Sequence, residues 1–479
     1  MKKILILMGV ASVLFSCKKL DENPTSVIVK EQFYTTQADA IAGVTGVYGE
    51  LVSDGTEQPM YGREINFLAD MTTDDLAAGP SAINPNVRAL SSITYTSTDD
   101  RLQVLWRQFY TGISRANVAI DQISAMTFDD NVRLRLVRES KFLRALFYFN
   151  LVRFWGGVPI VLHDPTSTDL SSLKTNRSSV ADVYKQIQAD LADAENLPTS
   201  YTGADIGRAT SGAAKTLLLK VYLTNKDWPN AISKAKEIIN GSFGYGLFPN
   251  YADVFNKATK NGIEHIFSAQ FEANGGLGNS STLMGAAFAG FNSNVPADIP
   301  ADSSVYKQYS STDTRRSVTF YTSLVNPTTG VTKVFPSFYF GKYVDRSVLL
   351  TSSQSSINFP ILRYADVLLM YAEAINEVQG PVSDAYNAIN QVRVRANTGN
   401  LTEGLSQSAF RDSLYAERRR EFVQEAQRWF DLVRTGQLVQ AVSKVASKTN
   451  IADRNYLFPI PQSEISLNSA LTQNPGYSN

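Results

Sequence analysis

The chain has 479 residues, with 45 Lys+Arg against 45 Asp+Glu, 43% hydrophobic and 19% charged. That composition is globular, too apolar for disorder and too polar for a bundle of membrane spans. A formal net charge of zero removes the electrostatic footprint of a nucleic-acid binder, and one cysteine with two histidines excludes an intrachain disulfide framework and Cys/His zinc sites.

Lys2-Lys3 precede an apolar run from Ile4 to Ser16, and Cys17 follows. The 13 residues of that run would span only about 20 Å as a helix, short for a bilayer crossing. A basic start, an apolar stretch and a small residue before the cut read as a secretory signal. Leu14-Phe15-Ser16-Cys17 resembles a bacterial lipoprotein box, which implies cleavage before Cys17 and a diacylglycerol on its thiol. Asp21 and Glu22 are similar to the short acidic signal that sends lipoproteins of the Bacteroidetes type to the outer surface. Acyl chains at about 0.8 kcal/mol per buried CH₂ would hold such a protein on the membrane.

Residues 18–34 are polar, carry Pro24, and read as a tether. A helix is expected from Gln37, with Thr36 as N-cap and Ile41, Val44, Tyr48 and Leu51 along one stripe. Residues 53–100 show no steady period and are expected to be loops with short elements. From Leu102 the apolar spacing becomes three and four residues through Trp106, Phe109, Ile113 and Ile123, an amphipathic helix. A second long helix is expected from Asp130 to Trp155, stopped by Gly156-Gly157. Ser179 with Asp182 opens a third that ends before Pro198. Ser211–Asn225 and Pro229–Asn240 form the next pair, with Pro229 suited to a first turn and Gly241 to a stop.

The helical rhythm is lost over 243–355, where Val334–Tyr343 reads as a strand. Helices return at Ile361–Val378, Ser383–Asn397 and Gln407–Arg434, and the tail from Asn455 is loop-like. Tyr222 and Ala231 keep close to the tetratricopeptide spacing of an aromatic on one helix and a small residue on the next. The expected fold is therefore mostly α: tetratricopeptide-like helix pairs forming an α/α superhelical scaffold, with a long loop-rich ligand-binding segment.

Several stretches resemble the SusD/RagB-like family of outer-membrane nutrient-binding lipoproteins. They are Trp106–Asn117 (WRQFYTGISRAN), Arg144–Pro159 (RALFYFNLVRFWGGVP), Arg363–Glu377 (RYADVLLMYAEAINE), Glu417–Gly436 (ERRREFVQEAQRWFDLVRTG), Leu457–Gln462 (LFPIPQ) and Gln473–Tyr477 (QNPGY). The resemblance implies a signal peptide at 1–16, a lipidated tether at 17–34 and a helical region at 35–242. The loop-rich segment at 243–355 and a second helical region at 356–479 follow, with 243–479 packed on 35–242 as one body. It further implies an outer-membrane, lipid-anchored protein facing the exterior that binds a glycan and hands it to a TonB-dependent transporter. Peptide binding within the same family is the alternative for the ligand.

Most of these motifs read physically as scaffold. Tyr364, Leu368, Tyr371 and Ile375 make one helical face, and Arg418-Arg419-Arg420 are interleaved with Glu417, Glu421 and Glu425 at ion-pair spacings. Compensating acids favour a paired network over nucleic-acid contact, and Trp429 with Phe430 reads as a packing anchor. No HExxH, GxSxG, P-loop or dinucleotide fingerprint occurs, so neither a catalytic residue nor a cofactor is expected. His163 and His265 have no cysteine to activate. A glycoside hydrolase on a helical scaffold is the second function, since two carboxylates suffice for it. Asp70, Asp74 and Asp75 form the densest acidic cluster, read as a solvated loop before a structural cation site.

Sugars offer apolar C–H faces to aromatic rings and hydroxyls to amides and charged groups. The loops 53–100 and 274–294 are therefore the expected ligand surface, with Tyr61, Tyr95, Phe288 and Phe291 as stacking candidates and Asn279 as a polar contact. Phe338 and Tyr339 are further loop-placed rings. All four tryptophans fall in or beside predicted helices, which speaks against starch as the ligand.

Overall fold

The structure is a computed structural model that describes residues 33–52, 59–165, 169, 174–272, 298–349 and 355–478. Cys17, the leader and most of the tether lie outside the described residues, as do Asn279, Phe288 and Phe291. In chain order come α1 (Gln37–Gly49), α2 (Ile65–Ala69), β1 (Leu76–Ala78), α3 (Pro85–Ser92), α4 (Asp100–Ala125), α5 (Asp130–Trp155), α6 (Val180–Ala194), α7 (Ser211–Thr224) and α8 (Trp228–Ile239). β2 (His265–Ala269), β3 (Asp298–Pro300), α9 (Ser304–Lys307), α10 (Arg315–Thr319), β4 (Phe320–Val325), β5 (Thr332–Phe340) and β6 (Phe359–Arg363) follow. α11 (Tyr364–Gln379), α12 (Ser383–Arg395), α13 (Gln407–Phe422), α14 (Arg428–Arg434), α15 (Leu438–Val442) and α16 (Gln462–Leu467) complete the fold.

The helix starts follow from local chemistry. Thr36, Asp129, Ser179, Thr210 and Ser406 each accept a hydrogen bond from the backbone N–H three residues on, satisfying a donor that the helix leaves free. α5 stops at Gly156, whose φ of 74° excludes ordinary side chains. At Gly157 a Cβ would lie 2.3 Å from the Ser178 carbonyl oxygen, so the chain can turn back only over a bare backbone.

Neighbouring helices pack in succession: α1 on α4, α4 on α5, α5 on α6, α6 on α7, α7 on α8, α8 on α11 and α11 on α12. Each helix thus buries one face on the one before and another on the one after, the arrangement expected of stacked helix pairs. The core runs through this stack and is rich in rings. Trp155 stands edge-on to Trp106 at 5.2 Å between centroids, and its Nε1 donates to the Pro459 carbonyl at 3.0 Å. Trp429, 1% exposed, and Phe430 pack against Phe154, so this pair is the packing anchor expected of it.

Two boundaries differ from the sequence expectation. The helix expected from Ile361 begins at Tyr364, because Phe359–Arg363 is strand β6, antiparallel to β2. Every residue of β6 is buried, and a short buried apolar run has no period that separates strand from helix. The helix expected over Gln407–Arg434 divides into α13 and α14, since Gln424 and Ala426 take φ of 67° and 53°. Tertiary contacts hold that break: Asn66 Nδ2 donates to the Gln424 carbonyl at 3.3 Å, and Ala426 N–H donates to Asp70 Oδ2 at 3.1 Å.

The arginine run of α13 is an interior ion network. Arg418 binds Asp366 at 2.8 Å and Asp431 at 3.0 Å, Arg419 binds Asp75 at 2.8 Å, and Arg420 binds Glu417 at 2.6 Å. Glu421 receives Arg315 at 2.9 Å, Arg363 at 2.6 Å and also Arg395, all in the interior. Arg315 reaches Asp313 and Glu417 as well, and Arg363 reaches Glu264 and Glu425. Ionised groups buried at this density persist only because each is paired and hydrogen-bonded.

Candidate functional site

Strands β1 and β3 pair antiparallel, with Leu76 opposite Pro300, Ala77 opposite Ile299 and Ala78 opposite Asp298. That short ladder places one of the two segments expected to carry a ligand surface, 53–100, against residues 298–300; the other, 274–294, lies outside the described residues. Ala78 N–H also donates to Ser91 Oγ at 2.9 Å, tying β1 to α3. Between them the loop 79–84 turns outward, and Ile83 is 88% exposed at its tip. Asn84 caps α3, accepting from Asn86 N–H at 2.8 Å, while Arg88 Nη2 donates to the Pro80 carbonyl at 3.2 Å.

Beside this loop lies a group of charged side chains. Arg101 binds Glu64 at 3.0 Å and grips both oxygens of Asp100 at 2.9 and 3.1 Å, and Arg63 approaches Glu64 at 3.3 Å. Burial pushes the Glu64 carboxyl up to about 6 against the pull of Arg101 and Arg63. Burial likewise raises Asp298 to about 6, with Arg63 opposing, and Asp99 to about 7. Perturbed acids of this kind gather at functional sites more than elsewhere. The face thus offers one exposed apolar side chain, amides and guanidinium groups, with the carboxyl groups of Glu64 and Asp99 buried behind it. It is chemistry for holding hydroxyls.

The clamp behind β1 corrects the reading of the aspartate cluster. Asp70, Asp74 and Asp75 are buried, not solvated. Asp74 receives Arg428 at 2.8 Å and Arg419 at 3.0 Å, and Asp75 receives Arg419. Lys448, fully buried, donates to the carbonyls of Met71, Thr73 and Leu76, the Thr73 contact being 2.6 Å. The cations here are side chains. Among the described residues no group of three or more His, Cys, Asp or Glu is placed to hold a metal.

The tyrosines expected to stack on a ligand lie in the interior. Tyr61 is 3% exposed, its ring beside Phe359, and its hydroxyl accepts from Asn150 Nδ2 at 2.9 Å; burial pushes its pKa up to about 12. Tyr95 is buried beside Phe458 and accepts from Asn455 Nδ2 at 2.7 Å. Both rings serve the core because the chain folds inward at each of them, Tyr61 on α5 and Tyr95 on the C-terminal region. Tyr339 packs with Tyr321 and Phe335, and Phe338 lies against Tyr306 at 4.2 Å between centroids. Asn279, Phe288 and Phe291 precede β3 in the chain and lie outside the described residues.

Sequence reasoning passed over Ile83, Asn86, Arg63 and Arg101. The available signal was Pro80-Ser-Ala-Ile-Asn-Pro85, a proline-bracketed turn with one aliphatic residue among polar ones. His163 is exposed beside Asp121 at 3.0 Å, and His265 is a buried strand residue 2.9 Å from the Val254 carbonyl, with its pKa lowered by burial.

Comparison with known proteins gives a consistent result. The family described as SusD family is matched over residues 226–477, and the one described as starch-binding associating with outer membrane over residues 20–223. SusD-like protein P2 of Formosa agariphila is 29% identical, across 97% of each chain. The starch-binding protein SusD of Bacteroides thetaiotaomicron is 24% identical across 91% of this chain and 90% of its own. Among solved structures, a SusD superfamily protein from Parabacteroides distasonis superposes with a TM-score of 0.81 at 25% identity, covering 92% of this chain and all (100%) of its own. A laminarin binding SusD-like protein does so at 0.77 and 26%, covering 92% and 99%. The helical scaffold described above is the fold of these proteins.

Proposed function

The chain belongs to the SusD family, and we propose that it captures a glycan at the outer membrane on the face that β1 and β3 hold together. The observation that supports the reading is the β1–β3 ladder, which sets an exposed turn beside an amide and guanidinium cluster. Relatives of similar length support a glycan as the ligand class, since one is a starch-binding protein and another a laminarin binding one.

A sugar would lay C–H groups against Ile83 and apolar neighbours while its hydroxyls exchange hydrogen bonds with Asn86, Arg63 and Arg88. Cys17 would carry the lipid, and the polar tether would let the body reach out from the outer surface. A protein held only by lipid cannot move its ligand across a membrane, so delivery falls to a TonB-dependent outer-membrane transporter as partner. On this reading the site binds without turnover, since Glu64 and Asp100 are engaged by Arg101, and it calls for no cofactor.

The test is binding of the full chain to laminarin, maltooligosaccharides and a panel of peptides by calorimetry, with chromatography of the mixture after incubation. Retention of a glycan, intact, with affinity lowered about tenfold in Ile83→Ser/Asn86→Ala is the expected result. Cleavage products abolished by one carboxylate replacement would move the reading to hydrolase. Binding to peptides alone would replace the glycan.

A further inference from the structure

A groove built from other elements runs past Tyr245, and we infer that it is a second binding site for a neutral oligosaccharide, an inference that rests on the glycan-binding reading above. Two concavities meet at this ring. One, of about 290 Å³, is lined by Tyr201, Ile206, Phe243, Tyr245, Asn261 and Ile263. The other is a shallow trough of about 710 Å³ between Tyr245, Leu247 and Pro249 on one wall and Asn387, Gln391 and Asn400 on the other. Volumes of this order suit a short oligosaccharide.

The walls carry what a sugar chain needs. Phe243 and Tyr245 stack at 5.6 Å with planes 11° apart, and Gly244 between them takes φ of 71°. Tyr245 is held in place, because its hydroxyl lies 3.0 Å from Thr210 Oγ1 and its ring sits over Gly212, where a Cβ would meet that hydroxyl at 2.4 Å. Helix α7 therefore leaves a seat for this ring, which fixes it before any ligand arrives. Ile206 and Ile263, 52% and 46% exposed, stand at the mouth of the first concavity.

Across the trough, α12 presents Asn387, Gln391 and the 60% exposed Val394 along one stripe at helical spacing. An exposed helical face ordinarily carries charges, and here it carries amides and one aliphatic. Asn261 and Gln270 exchange a reciprocal pair of amide bonds at 2.8 and 2.9 Å, which orients the amide at the groove wall.

Electrostatics select for neutrality. Arg208 in the first concavity already binds Glu139 at 3.0 Å and Asp205 at 2.7 Å, and Arg395 in the trough binds Glu264 at 3.0 Å and Glu421. Among the described residues both guanidinium groups lining the groove are thus neutralised by their own carboxylates, which disfavours a sulfated or uronate chain. Neutral hydroxyls find rings and amides.

The experiment is hydrogen-exchange footprinting of the full chain with laminarihexaose and with maltohexaose at millimolar concentration, repeated on Asn387→Ala/Gln391→Ala. These two side chains are exposed, so the variant should keep the wild-type melting temperature. Protection over 243–249 and 387–394 with either probe, weakened about tenfold in apparent affinity in the variant, is the expected result. Protection confined to 76–88 and 298–300 overturns this inference and leaves the principal site standing. Protection at the groove alone supports it and overturns the siting on β1 and β3. Protection at neither overturns both, and groove protection unchanged in the variant overturns the role of the amides.

Discussion

Lys448 is the perturbation from which most can be learned, because one ammonium holds the turn that sets β1 in place. Its Nζ donates to the carbonyls of Met71, Thr73 and Leu76 from a fully buried position. Lys448→Met keeps an unbranched stem one atom shorter and removes all three donors. A buried carbonyl that loses its partner costs about 1–3 kcal/mol, and apolar burial of the thioether returns part of the sum, so a loss of about 4 kcal/mol is expected. Asp74 and Asp75 keep their arginines, which limits the damage to the clamp. With an unfolding entropy of about 2.1 cal/mol/K per residue, a chain of 479 residues loses about 1 kcal/mol per degree at its midpoint. The melting temperature should therefore fall by about 4 °C in calorimetry. Hydrogen exchange should accelerate first over 70–78, and glycan affinity should fall with it if β1 carries one edge of the site as proposed. Melting within about 1 °C of wild type, together with unchanged exchange over 70–78, would show that the carbonyls find water and that the clamp is dispensable.

Three further outcomes can be checked. Glu421→Gln leaves Arg315, Arg363 and Arg395 around a neutral amide; burial works against this carboxylate, yet those arginines hold its pKa well below the usual range. Breaking such a buried network should cost about 3–5 kcal/mol, read as a lower denaturant midpoint, and an unmoved midpoint would contradict the pairing. Glu64 has a folded pKa of about 6, above the ordinary 4.5, so the stability it contributes is present at low pH and lost as pH rises through 6. Between pH 4 and 7 wild type should therefore lose about 2 kcal/mol that Glu64→Gln does not, and parallel stability curves for the two proteins would refute this. Cys17→Ala should leave the membrane fraction and take up no fatty-acid label; wild-type labelling in that variant would end the lipoprotein reading.

What was legible in the sequence was everything that local chemistry decides. The residues of α5 from Asp130 to Trp155, the caps Thr36 and Ser179 and the stop at Gly156 are written in spacing, side-chain hydrogen bonding and glycine, all within a few residues of where they act. That Arg418–Arg420 are neutralised was legible too, but only Arg420 uses an acid at helical offset, Glu417; Arg418 and Arg419 take Asp366, Asp431 and Asp75 from elsewhere in the chain. Distant contacts decided the rest. Ile361 lies on a strand because β2, nearly a hundred residues earlier in the chain, supplies its ladder. Asp74 and Asp75 are interior groups because Arg419 and Arg428 come back to meet them from the far end of the chain, and Asp70 because Asn66 and the Ala426 N–H donate to it. Tyr61 and Tyr95 look like presentable loop rings in sequence, and only the fold says that Asn150 and Asn455 wait for their hydroxyls in the core. Periodicity reports which face an element buries, but a segment without a period carries no such report, so its burial is fixed by the partners that tertiary packing delivers.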